Sequence, residues 1–289
     1  MRREDSPRGR PTSTPDGPSR HPFDESLDDG RGHDFIGPWD LTHWPTAAGR
    51  RLADLAVRAG RRFAPHQVLA ITVVLGLLLT AALTALASEV YEAVVEAEGV
   101  ALLDRPVLNL AIALRSPELN SAVTAFTDVG GTVGMPILAA TAAVGLSLLW
   151  RRWSPLVLVV VTMLGSLLLT VVGKAAVGRI RPPLSLAVPP LEQSASFPSG
   201  HTLNAVAFAG IVTYLVLRRA RREWGRVLVV LLAAAFAVAM GLSRVYLGHH
   251  WLTDVLVAWA LGLGWLSVVI TAHRLFLTVH RRRRAAAGG

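Results

Sequence analysis

Apolar and polar positions divide this chain into a polar beginning and a long remainder built from uncharged runs. Residues 1–40 are rich in Pro, Gly, Ser, Asp and Arg without apolar periodicity. They bury too little surface to offset their conformational entropy and are expected to form a disordered tail. From Leu41 to Phe63 the pattern becomes helical and basic, with Arg50, Arg51, Arg58, Arg61 and Arg62 beside apolar positions. Residues 41–65 are therefore predicted as a juxtamembrane helix on the inner membrane face. Six stretches then approach the roughly twenty apolar residues that cross a hydrocarbon core: Val68–Ala87, Val133–Trp150, Pro155–Val172, Thr202–Leu217, Val227–Leu242 and Val255–Ala272. Ser154 before Pro155 suits a capped helix start, and Pro136 lies in a first turn. Between the first two spans, Glu89–Asn120 carries helical apolar spacing at Val94, Leu103, Leu108 and Ile112, as expected of interfacial helix at the outer mouth. No apolar core follows the first arginines closely enough to make a secretory signal, so the first span is expected in the mature protein.

The predicted fold class is all-α: a polytopic membrane bundle of six transmembrane helices plus interfacial helices, over residues 66–274, with a basic tail at 275–289. Composition agrees, at 52% hydrophobic with mean hydropathy +0.45. The formal charge of +9 comes almost wholly from arginine. These arginines flank apolar runs instead of interleaving with aromatics, which marks membrane anchors and not a nucleic-acid surface. Absence of cysteine excludes disulfides, thiolate metal sites and a cysteine nucleophile.

Charge also orients the spans. Arg50–Arg62, Arg151-Arg152, Arg218–Arg222 and Arg281–Arg284 fall at every second boundary, so these ends and both termini are expected in the cytoplasm. The remaining boundaries, expected on the outer side, hold the residues with chemistry. Lys174 precedes Arg181-Pro182, two helical turns on, and Pro182 and Pro183 are expected to stop that helix at Arg181. The pair suits a phosphate dianion, although basic residues at a helix end also snorkel to the interface, the role expected of Arg179. Pro198-Ser199-Gly200-His201 opens an apolar helix, where amides receive an anion; alone it is equally a capped helix start. Ser243-Arg244 leads to His250 and Asp254, whose spacing lets a carboxylate orient an imidazole. His249 is expected to point elsewhere.

Together the fragments Lys-x6-Arg-Pro, Pro-Ser-Gly-His and Ser-Arg-x5-His-x3-Asp resemble the signature of the type 2 phosphatidic acid phosphatase, or lipid phosphate phosphatase, superfamily in its membrane branch. The resemblance spans residues 102–272 with every motif position matched in order. It implies that His250 is the nucleophile forming a phosphohistidine, with Asp254 orienting it, and that His201 is the general acid and base. It further implies that Lys174, Arg181, Ser199, Gly200 and Arg244 bind the phosphoryl oxygens without metal or other cofactor. The expected activity is hydrolysis of a lipid phosphate monoester or of a lipid or polyprenyl diphosphate, such as undecaprenyl diphosphate, at the outer leaflet of a bacterial plasma membrane. Expected partners are that substrate and the bilayer, with no nucleic acid. Phosphoryl transfer to another acceptor and binding without turnover stand as alternatives. The similar vanadium-dependent haloperoxidases are soluble, unlike a chain with six apolar runs.

Overall fold

A computed structural model describes residues 34–60, 62–95 and 100–287. Most of the expected tail, Arg61, Glu96 and Glu98 lie outside the described residues. The helices are α1 (Ala47–Ala59), α2 (Pro65–Val95), α3 (Asp104–Ala113), α4 (Pro117–Asp128), α5 (Gly134–Trp150), α6 (Ser154–Val177), α7 (Gly200–Leu217), α8 (Glu223–Tyr246) and α9 (Leu252–Ala287). Every expected span falls on a helix. Among the described residues, however, four helices, α6 to α9, are long and apolar enough to cross a membrane, whereas α5 and the apolar portion Pro65–Leu78 of α2 are shorter. Length and composition thus account for four of the six expected spans.

The bundle packs around α9. Trp265, Val269, Ala272 and Phe276 of α9 are fully buried, as are Leu203, Ala207 and Ile211 of α7. Gly165 brings α6 against Trp265: a Cβ there would lie 2.1 Å from the ring. The Trp265 indole donates to the carbonyl of Thr162 at 2.8 Å. Such close crossings suit membrane helices, which gain little from the hydrophobic effect against lipid and rely on intimate packing. The bundle's outer surface is apolar, with Ile137, Leu148, Leu164, Leu231 and Leu232 exposed. That surface is matched to hydrocarbon, not to water.

Several boundaries differ from expectation. Ser154 is the first residue of α6, not its cap, which is Trp153. Of the expected interfacial stretch, Glu89–Val95 continue α2, and the later part forms two short helices, α3 and α4, because Ser116 accepts from the Leu119 amide at 3.2 Å and Pro117 starts a new helix. Residues 275–287 are no tail: they continue α9, burying Leu275, Phe276 and Val279. No helix breaker follows Ala272, and arginines are good helix formers that suit a helix C-terminus. α1 docks Ala53 and Ala56 on Leu275 and Val279, leaving Leu52 and Leu55 exposed. Within the expected tail, β1 (Phe35–Ile36) and β2 (Trp39–Asp40) form a hairpin, in which Ile36 pairs with Trp39. The hairpin is tied to α9 by Arg281 and Asp40 at 3.0 Å, and Arg274 donates to the Leu41 carbonyl at 2.8 Å. Arg219 lies 4.9 Å from the Trp150 ring, bringing the Arg151 and Arg218–Arg222 boundaries together. The basic segments thereby gather at one end of the bundle, opposite the end where α6 finishes and α7 begins.

Candidate active site

At that other end, helix termini present the polar residues. α6 stops earlier than the prolines suggested, because Gly178 adopts a left-handed φ of 59° as its C-cap. Lys174, the only lysine of the chain, stays in the last helical turn while Arg181 lies beyond the helix. They converge through a shared loop instead of a shared helix face. Lys174 Nζ donates to the Ala195 carbonyl and, at 3.2 Å, to Ser194 Oγ. Arg181 Nε donates to the Ser194 carbonyl at 2.6 Å. A second Arg181 nitrogen lies 3.2 Å from His250 Nε2. Guanidinium has no acceptor, so this contact requires the Nε2 lone pair, leaving the proton on Nδ1.

His250 precedes α9 in a turn, and Asp254 occupies the helix's first turn. The i,i+4 contact therefore forms at a helix entrance, with Nδ1 3.5 Å from Asp254 Oδ2. Oδ2 also accepts from Ser196 Oγ at 2.5 Å and from the Trp251 amide at 3.0 Å. Burial pushes the His250 imidazole down to about 4 despite Asp254, with Arg181 and Arg244 adding to the fall. His249 turns away from Asp254, its Nε2 lying 2.7 Å from the Val188 carbonyl, yet it lines the same cleft.

Gly200 and His201 begin α7 and line the cleft, at the helix end where backbone N–H groups lack intrahelical partners. Ser199 is fully buried and its hydroxyl pairs with Thr202 Oγ1 at 2.9 Å, so the side chain is directed into the helix start and not into the cleft. Arg244, 1% exposed near the end of α8, donates to Thr127 Oγ1 at 3.1 Å. Its Nε has no hydrogen-bond partner among the described residues.

Four participants carry no sequence signal of their own. Glu192 Oε2 pairs with Arg181 at 2.7 Å, and Oε1 pairs with Arg244. Burial opposes this charge, but the two guanidinium groups prevail and hold the carboxyl down at about 2. Arg179, expected to snorkel, instead bridges Asp254 at 2.6 Å and Asp104 at 2.7 Å. Ser196 is the fourth. Their partners are created by folding, and only the adjacency of Arg179 to the Arg181-Pro182 fragment hinted at a role.

The cleft has a volume of about 1390 Å³. From Lys174, His201, Arg244 and His250 it extends along α5 and α6 past Pro136, Ala140, Val144, Val160 and Leu164. A polar end thus continues into an apolar corridor.

The PAP2 superfamily model matches residues 155–277, which contain all three fragments. Phosphatidylglycerophosphatase B of Bacillus subtilis is 31% identical over 172 residues, covering 59% of this chain and 83% of that protein. The chain belongs to the PAP2 superfamily. A solved PAP2 relative, described as the first transmembrane PAP2-type phosphatidylglycerolphosphate phosphatase from Bacillus subtilis, superposes with TM-score 0.56 at 28% identity, covering 69% of this chain and 92% of that one. Undecaprenyl-diphosphatase of Sulfolobus acidocaldarius is 40% identical over 72 residues, 25% of this chain and 30% of that protein. This PAP2 protein is accordingly an integral membrane protein with lipid-phosphate phosphatases among its relatives.

Proposed function

We propose that this chain removes the terminal phosphate of a lipid monophosphate or diphosphate at the extracytoplasmic leaflet, through a phosphohistidine. The carrying observation is convergence at one cleft of His250 Nε2, His201, Lys174, Arg181 and Arg244, joined to an apolar corridor between α5 and α6. Arg181 lies just behind the lining and reaches it through His250 and Glu192.

In the first step the Nε2 lone pair of His250 attacks phosphorus, forming an N–P bond as the P–O bond to the leaving group breaks. His201 gives its proton to that departing oxygen, while the His250 Nδ1 proton stays directed at Asp254. Water then attacks phosphorus and yields a proton to His201. The N–P bond breaks, releasing inorganic phosphate and neutral His250. Lys174, Arg181, Arg244 and the first amides of α7 stabilise charge on the equatorial oxygens. Ser199 supports those amides by ordering the start of α7 through Thr202.

Orientation rests on the basic segments, which gather at the end opposite the cleft and are retained in the cytoplasm. With α2 and α5 crossing beside α6 to α9, the six spans return both ends of the chain to that side; the 17 residues of α5 reach about 25 Å, near the lower limit for a span. Relatives named for phosphatidylglycerophosphate and undecaprenyl diphosphate support substrates bearing a phosphoryl head on a long apolar tail.

The test is phosphate release by purified protein from both substrate types, with chelator present and in ¹⁸O-labelled water. Wild type is expected to be chelator-insensitive and to place the label in phosphate. His250→Ala is expected to lose at least about 10³-fold in kcat while remaining folded. Undiminished turnover in that variant, or abolition by chelator, would overturn the mechanism.

A further inference from the structure

Behind the reacting imidazole, the partly exposed Arg179 links two buried carboxylates, Asp104 and Asp254, and the three come from distant parts of the sequence. The geometry points to Asp104 and Arg179 as positioning residues: Arg179 holds one oxygen of Asp254 so that the other faces His250, and Asp104 holds Arg179 together with the start of α9. This inference rests on the phosphohistidine mechanism above.

The contacts are specific to each atom. Arg179 donates to Asp254 Oδ1 at 2.6 Å, to Thr253 Oγ1 at 2.7 Å and to Asp104 Oδ2 at 2.7 Å. Asp104 Oδ1 accepts from the Thr253 amide at 2.9 Å, and Oδ2 accepts from the Thr253 hydroxyl at 2.8 Å. Asp104 therefore caps α9 from outside, at the turn that carries Asp254. The guanidinium packs 5.8 Å from the Trp251 ring, and its own backbone carbonyl accepts from Ser196 at 2.8 Å. A carboxylate turns readily about its last torsion. With Oδ1 tied to Arg179 and Oδ2 to Ser196 and Trp251, the plane of Asp254 is fixed and one oxygen remains directed at Nδ1.

Charge explains why two residues are needed. Arg179 alone would cancel the carboxylate that supports the imidazole as it becomes phosphorylated. Asp104 restores one net negative charge to the trio, so Asp254 is held rigidly without losing its electrostatic effect. Asp104 is 4% exposed and Asp254 is fully buried, so solvent cannot substitute for either partner. Arg179 and Asp104 do not line the cleft. On the other faces of His250 stand Arg181, Arg244, Glu192, His249, His201 and Lys174, which the variants below leave unchanged.

The experiment compares full-length wild type with Arg179→Gln, Arg179→Lys and Asp104→Asn in detergent, measuring kcat, KM and the pH dependence of kcat, with His250→Ala as control. Arg179→Gln is expected to lower kcat on the order of 10- to 100-fold, the range for residues that orient a reacting group by hydrogen bonding. KM should stay within about threefold, because no phosphate contact is lost, and Arg179→Lys should recover part of kcat. Losing Arg179 leaves two carboxylates to favour imidazolium, so the acid limb should move to higher pH. Losing the Asp104 charge should move it to lower pH.

These opposite shifts are not expected from mere loosening of the loop. Unchanged kcat in both Arg179→Gln and Asp104→Asn, limbs moving in the same direction, or a KM rise matching the kcat loss would overturn the inference. If Arg179→Gln does not fold, the nearly isosteric Asp104→Asn carries the test. An active His250→Ala refutes the underlying mechanism, whereas an inactive one beside fully active Arg179 and Asp104 variants refutes only their positioning role.

Discussion

The carboxylate of Glu192 lies on Arg181 and Arg244, the two guanidinium groups assigned to the phosphoryl oxygens in the proposed mechanism, and Lys174 is engaged by the neighbouring Ser194 and Ala195. Under that mechanism, an arriving phosphate must displace this internal anion. Glu192→Gln keeps the shape but removes the competing charge, so KM for substrate and the inhibition constant of inorganic phosphate should both fall, by about tenfold for each ~1.4 kcal/mol of competition removed. The sign with pH follows from the depressed carboxyl. Because Glu192 ionises at about 2, it remains charged as pH falls until that region is reached. The ratio of wild-type to variant KM should therefore stay flat from about pH 5 to 8, a window well above that ionisation. A ratio of one, or one that collapses near pH 5, would contradict the competition. The positive residues of the proposed cradle could be picked out as residue types at fixed spacing, but this negative one could not. Glu192 stands among prolines and small residues in a loop, and only folding sets it on two arginines from different fragments. Asp104 is hidden in the same way, 149 residues from the threonine it binds.

At the scale of helices, the sequence announces apolar runs better than it announces where helices end. The run Val255–Ala272 measures what lipid or neighbouring helices can cover, whereas α9 continues to Ala287 because its later face finds α1. Conversely α6 stops at Gly178, before the prolines, through the freedom of glycine to adopt positive φ. Helix contacts are still less legible, since an apolar face looks alike whether it meets lipid or protein. Gly165 and Gly264 illustrate the difference: a Cβ at the first strikes the buried Trp265 ring at 2.1 Å, whereas a Cβ at the second meets nothing within 4 Å. Trp265 is held by its bond to the Thr162 carbonyl and has no room to retreat. Gly165→Ala should destabilise the folded protein by about 1–3 kcal/mol. Gly264→Ala should be neutral or stabilising by about 0.5–1 kcal/mol through helix propensity. Thermal unfolding in detergent checks both; equal midpoints for the two variants would show that the α6–α9 crossing is looser than described.

For the molecule as a whole, the proposed function divides recognition between the polar end of the cleft and the apolar corridor. Hydrocarbon in the bilayer is as apolar as the corridor walls, so burial of a tail there contributes little to affinity. In the proposed reaction the corridor instead admits a tail while the phosphate reaches His250. Its volume of about 1390 Å³ exceeds that of the pockets usual for small molecules, roughly 300–1,000 Å³, and fits a ligand longer than its head group. Narrowing the corridor away from the chemistry should therefore discriminate by tail length. Ala140 lines it on α5, at a position with no part in the phosphate cradle. With Ala140→Trp, a long-chain lipid phosphate must share the space with an indole, an overpacking cost of about 1–3 kcal/mol. Its kcat/KM should fall by about tenfold or more. A water-soluble phosphate ester with a short chain does not reach that level and should retain its kcat/KM within about twofold. Equal losses on both substrates would mean that the substitution disturbs the polar end itself. Equal retention would place the tail outside this corridor, with the phosphoryl head entering from the aqueous end of the bundle.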